Sequence, residues 1–343
     1  MNLKKSQKFI IAAAALAALL LTAVLVIGLN SDGFHLGGIS PAAMNFHNEE
    51  VIPLGQEDTV DIVEVSWVSG PVTLGKSPDS SIHVVERASR EIRQEDAMQA
   101  AYSGGKLTVR WDGQWFRKWI NWSIFSFGRD DKALEVLLPG DGTLAGLNVS
   151  NTSGDITIAD FSAEELNVSS TSGNLILSAV SGTQSFHVST VSGDVRVEGA
   201  GAGELNASTT SGSLQLKATT AQELHISTTS GSCQYTGAAQ ELKASTVSGE
   251  LLADLTQCPA QAAMESVSGS VRLGLPENDG FTAVYSSVSG DFQSDFPTTG
   301  SVGKRDGTVV YGTGSAKLRF STTSGEIAVS RTKAADSPTP PAA

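Results

Sequence analysis

The chain has 343 residues, of which 17% are charged, and a formal net charge of −13. That balance repels phosphate backbones and excludes nucleic acid as a partner. Two cysteines, Cys233 and Cys258, cannot form a disulfide scaffold, and five histidines leave little material for a metal cluster.

Residues 1–8 carry Lys4, Lys5 and Lys8, followed by a non-ionisable run from Phe9 to Leu29. As a helix these 21 residues would rise about 31 Å, enough for a hydrocarbon core. Lysines on the near side keep that end cytoplasmic, so a retained single-pass anchor over 9–29 places the rest outside the cell. The alternative is a cleaved signal peptide, but the run closes on Val-Leu-Val-Ile-Gly-Leu-Asn, a poor cleavage site. Beyond the anchor the charge is −16, because the three lysines before it hold +3.

Residues 30–58 are read as a linker leaving the membrane. Residues 59–145 are an irregular β-rich cap that includes a first rung at Val63–Leu74, with strands expected at Ile82–Glu86 and Lys106–Trp111. Within it, 111–127 hold four of the five tryptophans. Trp115, Trp119 and Trp122, with Arg117 and Lys118, are candidate contacts to a membrane interface or a partner. The competing and preferred reading is an apolar flap sealing the end of a stack, with Trp67 in the first rung as its contact.

One phrase recurs through the chain, a small or β-branched run ending in Ser-Gly, and solenoid repeats are read over 146–330. Its glycines are Gly70, Gly154, Gly173, Gly193, Gly212, Gly231, Gly249, Gly269, Gly290 and Gly325. From Gly154 to Gly290 the spacings are 19, 20, 19, 19, 18, 20 and 21 residues. A fixed period of this size predicts a β-solenoid (β-helix) in which each repeat is one rung of about 19 residues. Apolar residues fall seven and five positions before the Gly, as in Leu166 and Val168, with a polar residue between them. The same alternation follows the Gly, as in Leu175 and Leu177. This is the period of half-buried strands, at least two per rung. The Gly supplies a positive φ at the corner. Serine recurs four residues before it, and stacked hydroxyls about 4.8 Å apart are expected to bond along the axis. Residues 331–343, rich in Pro and Ala, read as a disordered tail.

The pattern resembles a bacterial family of envelope proteins known as putative adhesins, built on a β-solenoid domain of unknown function. The resemblance spans roughly Val51 to Ser330. It is carried by the run from Ser66 to Gly70, by Lys106–Val109, by Leu134–Pro139, and by the recurrent Ser-Thr-Thr-Ser-Gly and Ser-Thr-Val-Ser-Gly turns. It implies a solenoid and brings no substrate, catalytic residue or cofactor.

A search for chemistry finds none. His187 and His225 share an outward column with Asn206 between them, about 10 Å apart, too far to share a metal. Asp155 and Asp194 are separated in the same way, beyond the reach of paired catalytic carboxylates. Cys233 takes a core position, and Cys258 is out of step with it. Ice binding through the Ser/Thr ladder is opposed by Val191, Val247, Val267 and Val288, which interrupt it. The expectation is an all-β, non-enzymatic envelope protein without cofactor or metal. It would hold the membrane by its N-terminal helix and meet an unknown envelope polymer or protein. A stalk or sensor with a membrane partner is the alternative, and a polysaccharide-active enzyme a weaker one.

Overall fold

The computed structural model describes residues 44–89, 91–94, 96–111, 132–303 and 305–332. Among them every element is a strand, and all twenty-five strands join one hydrogen-bonded system. No helix among these residues is long and apolar enough to cross a membrane, and the expected anchor at 9–29 lies outside them.

β1 (Phe46–Pro53) falls inside the stretch read as a linker. β2 (Ile62–Ser69) and β3 (Val72–Lys76) flank Gly70 and make the first rung. β4 (Ser81–Ala88) runs antiparallel to β1. β5 (Gln99–Ser103) and β6 (Lys106–Arg110) form a hairpin, and β7 (Lys132–Leu138) follows the aromatic segment.

Regular rungs come next, each a long strand before the Ser-Gly turn and a short one after it. They are β8 (Leu144–Ser153) with β9 (Ile156–Ala159), β10 (Ser162–Ser172) with β11 (Leu175–Ser178), and β12 (Ser181–Ser192) with β13 (Val195–Glu198). β14 (Gly201–Ser211) leads into β15 (Leu214–Ser230) and β16 (Cys233–Ser248), where the short strand of one rung runs unbroken into the long strand of the next. β17 (Leu251–Leu255), β18 (Gln261–Ser268), β19 (Val271–Leu275), β20 (Gly280–Ser289) and β21 (Phe292–Ser294) continue the series. β22 (Thr299–Val302), β23 (Asp306–Gly312), β24 (Ala316–Ser324) and β25 (Ile327–Arg331) close it.

Rung stacks on rung in parallel register, and at both ends the spatial order departs from the chain order. β2 lies between β6 and β8, and β3 between β7 and β9. The first rung is therefore second in space, and β6 with β7 forms the outermost one. At the far end β24 lies between β18 and β20, and β25 between β19 and β21. The last rung among the described residues is second from the end. Antiparallel strands then cover the outer edges. β4 pairs with β7 and β5 with β6 at one end, while β23 pairs with β20 and β22 with β23 at the other. The caps move the open edges from the rungs to β1, β5 and β22, each paired on one side, while β21 pairs with β25 alone.

The core is the stack of inward columns. All ten residues seven positions before the turn glycines, from Val63 through Phe186 to Leu318, are buried. So are the ten residues five positions before them, from Val65 to Phe320, and inward residues after the turn such as Leu175, Leu177, Val195 and Val197. Each fully buried side chain of this type contributes about 1.5–3 kcal/mol. Cys233 occupies one of these positions, free and buried, and burial pushes its thiol pKa up to about 12.

Candidate functional site

The turn glycines form a backbone column. Each has a positive φ, from 98° at Gly70 to 152° at Gly193. They also sit too close together for side chains. A Cβ on Gly212 would lie 2.0 Å from the Gly193 carbonyl oxygen, and one on Gly231 1.9 Å from that of Gly212.

The axial hydrogen bonds fall one residue away from the expected serine column. Among those serines, Ser150 Oγ reaches Ser66 Oγ at 3.4 Å. The recurring bonds come from the inward residue three before the Gly. Thr190, Thr209, Thr228 and Thr322 each donate a hydroxyl to the glycine carbonyl of the neighbouring rung, at 3.2–3.5 Å. Asn151 Nδ2 does the same to Gly70 at 2.9 Å. In this column the buried hydroxyls of Ser170, Thr246, Ser266 and Ser287 have no partner. A second ladder follows the Gly: Asp155 Oδ1 accepts from the Asn174 amide, Asn174 Oδ1 from that of Asp194, and Asp194 Oδ1 from that of Ser213. The carboxylates of Asp155 and Asp194 are thus engaged with neighbouring backbone.

Outward residues six, four and two before each Gly make one long face. In spatial order its strands are β6, β2, β8, β10, β12, β14, β15, β16, β18, β24 and β20. The middle column runs Arg110, Ser66, Ser150, Ser169, Ser189, Ser208, Ser227, Ser245, Glu265, Ser321 and Ser286. In the outer column His187, Asn206 and His225 stack in register, so the two histidines stand two rungs apart as expected. Among the described residues no three His, Cys, Asp or Glu groups converge on a metal-sized site.

At the N-terminal end a cluster surrounds the roots of the aromatic segment; its Trp67 contact was expected from the sequence, and its buried ion pair was not. Trp67 occupies the inward position three before Gly70 and packs on Trp111, with ring centroids 5.1 Å apart. Lys132 Nζ lies 4.3 Å from the Trp111 ring centre and 2.6 Å from Glu86 Oε1, and also donates to the Asp96 carbonyl. Glu86 Oε2 accepts from the Met98 amide at 2.9 Å. Lys132 is 3% and Glu86 0% exposed, so the pair sits in protein interior. Trp115, Arg117, Lys118, Trp119 and Trp122 lie outside the described residues. The sequence signal for the ion pair was a lysine directly opening a strand of apolar alternation, Lys132-Ala-Leu-Glu-Val.

A second missed cluster ties β1 to β4. His83 Nδ1 lies 3.2 Å from Glu49 Oε1, and Nε2 lies 3.0 Å from Asp79 Oδ1. Hydrogen bonds to Asp79 and then Glu49 raise the His83 pKa above its ordinary value. The Ser81 amide, followed by His83, lowers that of Asp79.

No curated protein matches the chain. Among solved structures it is similar to a putative adhesin from Bacteroides fragilis, at 14% identity, 86% of this chain and 100% of that one, and a TM-score of 0.41. A putative adhesin from Parabacteroides distasonis shows 12% identity, 84% and 97% coverage, and a TM-score of 0.41. A putative lipid binding protein from the same organism shows 12%, 84% and 98%, with a TM-score of 0.33. The model of the Toastrack DUF4097 family matches residues 61–330, essentially the whole rung stack, and the chain therefore belongs to that family.

Proposed function

We propose that the chain is a membrane-anchored, extracytoplasmic β-solenoid that serves as a non-catalytic interaction module at the cell surface. The observation that carries this reading is the long outward face, eleven strands in one register, with a middle column that is mostly serine at a repeat of about 4.8 Å. Such a surface offers many weak, evenly spaced contacts to an envelope polymer or protein. The lysines before the apolar run at 9–29 support an N-terminal anchor with everything after it outside. The carboxylates of Asp155 and Asp194 are held in the backbone ladder, which weighs against a polysaccharide-cleaving pair.

A second reading, a stalk or sensor acting with a membrane partner, draws on the N-terminal cluster. Trp111 and Lys132 root the aromatic segment on the outermost rung, and Trp115, Trp119, Trp122, Arg117 and Lys118 would be its contacts. Photocrosslinking in intact cells separates the two. Adducts to glycan or protein from a photoreactive residue at His187 support the face. Lipid or membrane-protein adducts from Trp119 alone support the sensor. Absence of saturable adducts at both sites would reject both readings. Loss of membrane retention on deleting 9–29 tests the anchor.

A further inference from the structure

We propose that the long outward face also docks a second copy of this chain, in an antiparallel, two-fold symmetric dimer whose axis passes through β12. The proposal goes beyond the function above and does not depend on it.

The pattern of the face is self-complementary about that strand. Two positions before the turn, the side chains from β2 to β16 read Val68, Thr152, Thr171, Val191, Thr210, Thr229 and Val247. That series is the same in both directions, centred on Val191. An isologous two-fold contact sets position k of one copy against its mirror position in the other, so valine meets valine and threonine meets threonine. The charges select the same axis. Four positions before the turn the only charged residues are Arg110 on β6 and Glu265 on β18, four strands to either side of β12. In the antiparallel overlay each Arg110 faces the Glu265 of the second copy. Six positions before the turn Glu64 on β2 falls opposite Lys243 on β16. A parallel overlay would set Arg110 against Arg110.

Size and shape agree. Nine strands at about 4.8 Å, each presenting about five residues, make a face of about 40 by 16 Å, or about 650 Å² per copy. The total of about 1,300 Å² clears the roughly 1,000 Å² that a specific interface needs. The register shifts in β10, β12 and β15 fall at Ala163–Glu165, Gly182–Ser185 and Leu216–Thr219, outside this segment, so the face stays regular. The serines of the middle column and the Val and Thr of the column beside it let two sheets approach to about 10 Å, and another stack of the same pitch keeps contact along the whole length. Arg110 also lies 4.0 Å from Glu64, and Lys106 2.7 Å, so Glu64 already carries cations in its own copy. The Arg110–Glu265 pair is therefore the more diagnostic one.

Light scattering on the full-length chain in detergent, corrected for the micelle, tests the proposal. A two-copy mass is expected. Arg110→Glu and Glu265→Arg should each weaken association about tenfold or more, and the double variant should recover it, because the reversed charges again face each other. A thiol-to-thiol crosslinker of about 8–10 Å should join Ser189→Cys into a covalent dimer, since Ser189 lies next to the axis and the sheet spacing is too wide for a direct disulfide, whereas Ser286→Cys on the overhanging β20 should stay unjoined. A single-copy mass at tens of micromolar overturns the dimer. So does a dimer indifferent to both reversals, or one in which the double variant stays dissociated. A single-copy mass together with saturable glycan or protein adducts at His187 would leave the face to that ligand.

Discussion

Two glycines at different corners separate backbone conformation from backbone crowding. Gly199 has φ 65° and a Cβ there would meet nothing nearer than 3.8 Å, whereas one at Gly212 would fall 2.0 Å from a carbonyl oxygen. Gly199→Ala carries only the left-handed penalty of about 1 kcal/mol. Its corner is one that Ala179 and Ala218 already adopt in neighbouring rungs, at φ 49° and 48°. Gly212→Ala must also push two rungs apart, and a loss on the order of 3 kcal/mol or more is expected. Denaturant midpoints for the two variants measure this, and equal losses would refute the crowding. Another residue-scale effect is the His83 clasp. Its folded pKa is raised above 6.5, so the protonated form favours the fold. That contribution is complete below 6.5 and disappears as pH rises through the folded value. Asp79, depressed from 3.8, works in the opposite sense and is lost only as pH falls through its lower folded value. The unfolding midpoint should therefore drop as pH rises from 6.5 through the folded value, and His83→Gln should flatten that drop. An unchanged slope in the variant would remove the clasp from the account.

Within the strands, the column three before the Gly makes a sharper distinction. Thr209 donates to the Gly193 carbonyl at 3.2 Å, so Thr209→Val should cost about 1 kcal/mol. The Ser266 hydroxyl is buried without a partner, so Ser266→Ala should be neutral or stabilising. Similar losses in thermal melts of the two would contradict the hydrogen-bond assignment. In the cap, Lys132→Met leaves Glu86 alone in the interior and should cost about 3–5 kcal/mol, whereas joining it to Glu86→Leu should restore most of that. A double variant no better than the single would show that packing, not charge, dominates there. The rungs were legible because each column repeats one choice ten times, apolar inside and glycine at the corner. Trp67 was legible too, as a large side chain in a column of Ser and Thr, and it meets Trp111. Three features were not. β1, Phe-His-Asn-Glu-Glu-Val-Ile-Pro, is mostly exposed and lacks the alternation that marks a buried strand. The axial bonds were assigned to the serines four before the Gly, whereas inward residues one position on reach the glycine carbonyls. The Lys132–Glu86 pair joins residues 46 apart that share no motif.

At the scale of the whole molecule the decisive feature is the order of the end rungs. A solenoid is nearly one-dimensional and is expected to fray from its ends. Here neither chain-terminal rung is a spatial end. β24 and β25 are hydrogen-bonded on both sides, to β18 and β19 inward and to β20 and β21 outward. β2 and β3 are held in the same way between the outermost rung and β8 with β9. Two rungs of the same pattern and register are interchangeable in a sequence, so this order could not be read from it. Its consequence is that the last strand of the chain cannot leave before the rung outside it opens. The Ile327 amide donates to the Asp291 carbonyl of the outer rung, and the Val271 amide to the Glu326 carbonyl of the inserted one. Native-state hydrogen exchange should then find Ile327 released when the outer rung opens, with Val271 still protected like the amides of central strands such as β13. Exchange of Val271 as fast as that of Ile327 would mean that the inserted rung leaves together with the outer one and does not bolt the stack. The expected order makes opening from the C-terminal side a two-rung event, which holds the stack in register at that end.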